Sequence, residues 1–208
     1  HAKRVEGVKG IFEAHKAAAE IAETSHFYVI DADAVMDEEF SFRFKPDKNK
    51  DAYPNIPETD CVYVWRSRNP VNDLLYGYGG AKLFKRQAML DAEYWNIDMT
   101  TTLGCPFVPK FQVSNITQFN TDPYSTWRSA FRECAKLASA IIPHGDNTDN
   151  EYRLKIWQER GAKRPYGEYC ILGAKQGADF GTAYRCKPHI LAKINDFKWL
   201  KETFDDAI

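Results

Sequence analysis

The chain has 208 residues, of which 44% are hydrophobic, 14% aromatic and 27% charged. That is enough apolar chain to bury a core, and it excludes a disordered polar polymer. A formal net charge of −1 excludes a global basic field for nucleic acid, so any phosphate-binding surface must be local.

Residues 8 to 23, "VKGIFEAHKAAAEIAE", place Val8, Ile11, Phe12, His15, Ala18, Ala19 and Ala22 on one face at helical spacing. His15 therefore reads as a core residue. "HFYVI" follows, rich in β formers and apolar enough for a strand covered on both faces. Helix then buried strand predicts an α/β sheet. Residues 45 to 60, polar and holding three prolines, read as an exposed loop. "CVYVW" is a second strand, and "RSRNPVNDLLYGYGG" leaves the sheet as a loop with three glycines. "AKLFKRQAML" reads as a strand turning into a helix. "TDPYSTWRSAFRECAKLASAII" is the clearest helix, with Asp122 at the N-cap and Pro123 at the first helical position. Its buried stripe is Trp127, Phe131, Cys134, Ala138 and Ile141. Residues 143 to 150 read as a loop, and "EYRLKIWQER" as a helix stopped by Gly161. "YGEYCILGAKQGADFGTAY", with glycines at 167, 173, 177 and 181, suits a mobile loop. "NDFKWLKETF" closes as a short amphipathic helix. No repeat divides the chain, and residues 1 to 208 are taken as a single domain or fragment. The opening "HAKRVEG" has no initiator Met and reads as a fragment or processed chain.

Cys61, Cys105, Cys134, Cys170 and Cys186 form no CxxC pair, so neither a disulfide framework nor a zinc knuckle is encoded, and a reducing cytoplasm is expected. No apolar run approaches the roughly 20 residues of a membrane span, and no signal-peptide core opens the chain. No membrane partner is expected.

The chemistry begins at "FYVIDADAV", residues 27 to 35. Residues i and i+2 of an extended segment face one side, so a strand ending in Asp31 and Asp33 presents two carboxylates together. At the carboxyl end of an α/β sheet they open on the crevice where ligands bind. Hard oxygen donors suit Mg²⁺ or Mn²⁺ bridging to substrate phosphates. The bland alternative is that Asp31 caps a turn and Asp33 is solvated.

The order "FYVIDADA", then "YGYGGAKLFKRQAML", then a later aspartate, resembles GT-A-type nucleotide-sugar glycosyltransferases. The strings "VWRSRNPVNDLLYGYGGAKLF" and "FNTDPYSTWRSAFRECAKLAS" are also similar to glycosyltransferase-like proteins of large tailed phages, over about residues 3 to 185. The resemblance implies a GT-A-like (Rossmann-like) mixed sheet flanked by helices. It implies a metal-dependent enzyme moving a sugar from a nucleotide sugar, such as a UDP-sugar, to an acceptor hydroxyl. That acceptor could be a hydroxymethylated pyrimidine in phage DNA, with the host cytoplasm as location. Asp31 would contact ribose or metal, Asp33 the metal, and Gly79 and Gly80 the donor-sugar pocket. The chain departs from the pattern in one respect: only 30 residues precede Asp31, whereas the family places a nucleobase-binding βαβ half there. That half is cut away, or the nucleotide is held differently, or the likeness is partial.

Asp98, after the glycine block, is the favoured general base, with partnership to Thr100, Thr101 and Thr102 as its alternative. Asp122 competes for that role but is better explained as a cap. Arg66 and Arg68 flank the second strand, where a planar guanidinium can pair with a pyrophosphate. Lys3 and Arg4 would reach the nucleotide if the upstream half were present. Tyr76 and Tyr78 are candidates to stack on a sugar or base. Arg128, Arg132 and Lys136 lie on one helical stripe, a solvated face or a contact for acceptor phosphates. His144 or His189 could complete a metal site. Two other classes stay open, a metal-dependent nucleotidyl or phosphoryl transferase and a non-catalytic binding module.

Overall fold

The computed structural model describes residues 2–93, 103–141 and 147–208. The chain is α/β, a mixed sheet accompanied by helices. Where the sequence read as a single domain, contacts divide it into two compact units. One comprises His1–Arg68 and Leu75–Thr117, the other Asn69–Leu74 and Gln118–Ile208.

The first unit carries the sheet. Its strands are β1 (His26–Val29), β2 (Ala34–Met36), β5 (Val62–Arg68), β6 (Leu75–Tyr76), β7 (Lys82–Lys85) and β8 (Phe107–Thr117). The order is β1-β7-β5-β8-β2, with β6 attached to β5. β5 and β8 run parallel and the other described pairs antiparallel. Helices α1 (Ile11–Ile21) and α2 (Arg86–Asp91) contribute Phe12, Ala19 and Met89 to a cluster with Phe27, Val62 and Phe84. A second cluster gathers Phe40, Cys61, Tyr63, Trp65, Ala81 and Leu83. Val29 packs on the first cluster, Tyr28 and Ile30 on the second. The run "FYVI" is therefore covered on both faces, as its composition requires. His15 is 4% exposed, its Nδ1 lies 2.8 Å from the Ile11 carbonyl, and its ring meets Phe84 edge-on.

Two expectations fail here, and one strand went unread. Residues 45 to 60 are not wholly loop: β3 (Asp51–Tyr53) and β4 (Ile56–Pro57) form a hairpin, followed by a 3₁₀ turn at Glu58–Asp60. The second strand runs on to Arg68, and β6 returns against it with Ser67 opposite Tyr76. The longest strand, β8, follows no apolar alternation. Its inward positions Ser114, Asn115 and Thr117 are polar and buried, so the usual strand signal is missing.

The second unit is helical: α3 (Pro123–Ser139), α4 (Asn147–Glu159), α5 (Gly167–Ala183), α6 (Pro188–Leu191) and α7 (Phe197–Asp205). Its core includes Trp127, Phe131, Trp157, Leu200 and Phe204. The helix α4 starts at Asn147, inside the expected loop of 143 to 150. The largest correction is α5, predicted as a mobile loop. A Cβ at Gly173, Gly177 or Gly181 would lie 2.3, 2.2 or 2.4 Å from the carbonyl oxygens of Trp127, Phe131 and Ala135. These glycines let α5 press its backbone onto α3; they do not loosen a loop.

Candidate functional site

The Ala34 amide donates to the Asp31 carbonyl at 3.0 Å, closing a tight turn over Asp31, Ala32, Asp33 and Ala34. The aspartates are therefore the first and third residues of a turn and not members of an extended strand, which ends at Val29. Asp and Asn favour such positions because their short polar side chains satisfy local backbone groups. Asp33 is exposed and Asp31 half-buried.

Lys82 Nζ lies 3.1 Å from Asp31 Oδ2, and the two side chains are 11% and 32% exposed. Lys82 sits in register between Val29 of β1 and Val64 of β5, so all three side chains share the face on which α1 and α2 pack. A buried ammonium requires an anion, and this one draws the Asp31 carboxylate onto that face.

Asp31 and Asp33 place two carboxylates on one tight turn. Among the described residues no group of three His, Cys, Asp or Glu side chains gathers to hold a metal. A cation held by Asp31 and Asp33 would complete its shell with further oxygens, water and substrate phosphate among them. That fits Mg²⁺ or Mn²⁺, and not a closed structural zinc site. His189 belongs to α6 in the helical unit; His144 lies outside the described residues.

Arg66 and Arg68 extend the same face. Arg66 is two residues beyond Val64, just as Asp31 is two beyond Val29, so both stand at the same end of the sheet. The Arg66 guanidinium lies 4.7 Å from the centroid of the Phe111 ring, and Arg68 is exposed. Leu75, Arg68, Ile116 and Val35 form one cross-strand row over β6, β5, β8 and β2.

The glycine pair has a packing role. A Cβ on Gly79, where φ is +67°, would lie 2.4 Å from Thr117 Oγ1, and one on Gly80 would lie 1.9 Å from the Trp65 carbonyl. The Asn115 amide holds this loop, donating to the Gly79 carbonyl at 3.0 Å and to Ser67 Oγ at 3.2 Å. Tyr76 and Tyr78 stack on each other, with centroids 6.0 Å apart.

Other candidates resolve into structure. Lys3 pairs with Glu23 and donates to the Ile21 carbonyl at 2.8 Å, and Arg4 pairs with Glu6 at 3.2 Å. Asp122 caps α3, its Oδ1 accepting from the Ser125 amide at 2.8 Å. Hydrogen bonds from Ser125 hold its carboxyl below the ordinary value, the wrong direction for a base. Arg132 donates to the Ile194 carbonyl at 2.7 Å and to Asn195 Oδ1 at 2.8 Å, so it fastens the 3₁₀ turn Ala192–Asn195 to α3. Arg128 lies between the rings of Tyr124 and Phe197, and Lys136 pairs with Glu133 at 3.2 Å. Burial pushes the Cys170 thiol up to about 12 and the Cys134 thiol well above its usual range, which removes both as nucleophiles. Asp98 and the threonine cluster after it lie outside the described residues.

No family model, curated protein or solved structure matches the chain. Function must therefore be argued from the site. Sequence reading missed Lys82 and Phe111. Lys82 had a signal, a lone lysine inside the apolar run "AKLF". Phe111 had none, because its exposure comes from an irregular register.

Proposed function

We propose that the sheet unit acts as a GT-A-like glycosyltransferase, using a nucleotide sugar and a divalent cation to glycosylate an acceptor hydroxyl. The observation that carries this reading is the convergence at one end and one face of the sheet. There the Asp31 carboxylate pairs with the Lys82 ammonium, and Arg66 and Arg68 follow Val64 on the same strand face toward the same end. Departure of a nucleoside diphosphate builds negative charge, and catalysis needs cations fixed where that charge grows. Bound Mn²⁺ or Mg²⁺ would supply electrostatic stabilisation of that leaving group. The chain's own residues do the rest. Asp33 and Asp31 would hold the cation, Lys82 fixes the Asp31 carboxylate, and Arg66 and Arg68 can pair with phosphate oxygens. Asp98 remains the proposed base, and a hydroxymethylated pyrimidine in DNA is the acceptor that the phage likeness supports.

The test is Mn²⁺-dependent hydrolysis of UDP-sugars. Asp33→Ala should abolish it while circular dichroism stays unchanged, because Asp33 is exposed and outside any ladder. Undiminished turnover in the variant overturns the proposal. A thermal-shift screen of nucleoside triphosphates against UDP-sugars with Mn²⁺ tests the rival phosphoryl-transfer class, since a true ligand raises the melting point.

A further inference from the structure

Phe111 is 75% exposed, more than any other aromatic ring among the described residues. Its position has a backbone cause. Trp65 of β5 lies opposite Lys110 of β8, but the next residue, Arg66, lies opposite Val113. Phe111 and Gln112 are thus looped out of the ladder as a two-residue bulge in the middle of an 11-residue strand. Bulges give up pairing and re-aim side chains, and they are over-represented beside active sites. Here the ring is delivered next to the Arg66 guanidinium.

We infer that Phe111 is the stacking platform for the nucleobase of a nucleoside diphosphate whose phosphates face Arg66, Arg68 and the Asp31 turn. This rests on the transferase reading above and deepens it by giving the base a seat on the chain's own sheet. Three features support it. An exposed ring offers a π-face to any base, an interaction tolerant of base identity. Arg66, stacked on that ring, and Arg68 supply the complementary charge for the diphosphate. The Asp31 turn leads straight into β2, whose Ala34 lies opposite Thr117 of β8, so the turn and the ring belong to neighbouring parts of one sheet. The exposed row of Leu75, Arg68, Ile116 and Val35 continues this surface and leaves it open to a ligand.

Equilibrium binding with Mn²⁺ present tests it, with UDP, CDP, ADP and GDP as nucleotide probes and inorganic pyrophosphate as the base-free probe. Phe111→Ala should weaken the tightest-bound nucleotide at least tenfold and leave pyrophosphate unchanged, whereas Phe111→Trp should retain nucleotide affinity. Phe111 is so exposed that neither variant threatens folding. Equal affinity of wild type and Phe111→Ala for the nucleotide overturns the inference alone, and so does a parallel loss of nucleotide and pyrophosphate. If wild type binds none of the five probes, the transferase reading falls, and the inference with it.

Discussion

At the scale of single residues, burial decides which half of the Asp31–Lys82 pair matters more to the fold. Lys82 is the more deeply buried, at 11% against 32%. Removing Asp31 leaves a buried ammonium facing no carboxylate, and breaking a buried pair from one side costs about 3 kcal/mol or more. Replacing Lys82 by methionine leaves a similar apolar volume and a carboxylate that water can reach. Urea denaturation should therefore show Asp31→Ala destabilising the sheet unit clearly more than Lys82→Met; equal losses would refute this ranking. The same asymmetry makes Asp33, not Asp31, the clean position for testing chemistry. Asp122 is a different case, since its carboxylate satisfies a helix-start amide. Its folded pKa is lowered from 3.8, so its stabilisation is complete above that value and fades as pH falls through the lowered one. Asp122→Ala should cost about 1 kcal/mol at pH 7 and progressively less as the pH falls below the ordinary carboxyl value. A cost independent of pH would show that the charge contributes nothing.

Among elements, the contrast between α3 and α5 shows what was legible in the sequence and what was not. The helix α3 announces itself through Asp122, Pro123 and an apolar stripe, all local signals. The helix α5 carries four glycines, each costing up to about 1 kcal/mol of helix propensity, so local reading disfavours it. What compensates is a partner 46 residues away in sequence at the Phe131–Gly177 contact, and no local pattern reports that. β8 escaped notice for a related reason: its buried side is the hydrogen-bonded set Ser114, Asn115 and Thr117, not an apolar stripe. The covered strand before the aspartates was legible from its apolar run, whereas the turn that carries them was not, since sequence reading kept both on the extended strand. The bulge at Phe111 was not, because register belongs to strand pairs. Close packing gives a direct test. Gly177→Ala puts a methyl group 2.2 Å from the Phe131 carbonyl, and overpacking of this kind costs about 1–3 kcal/mol. If α5 were packed loosely, the same change would stabilise the helix by improving propensity, so the sign of the measured shift decides.

For the whole molecule, the two units have separate hydrophobic cores, one around the sheet and one among the helices. The proposed ligand contacts, Asp31, Asp33, Arg66, Arg68 and Phe111, all belong to the sheet unit, whereas Gly177 and Asp122 belong to the helical one. No helix among the described residues is long and apolar enough to cross a membrane. Calorimetry reads what a ligand does to each unit. A ligand that binds only the folded state raises stability by mass action, by about 2.7 kcal/mol at a hundredfold excess over Kd. Mn²⁺ with a nucleoside diphosphate should therefore raise the transition reported from the sheet unit, while Gly177→Ala should lower the one reported from the helical unit. Hydrogen exchange read by segment separates the two responses, with β5 and β7 reporting on the first and α3 and α5 on the second. Protection that rises in α3 and α5 but not in β5 and β7 on adding Mn²⁺ and UDP would place the ligand in the helical unit and overturn the assignment of the site to the sheet.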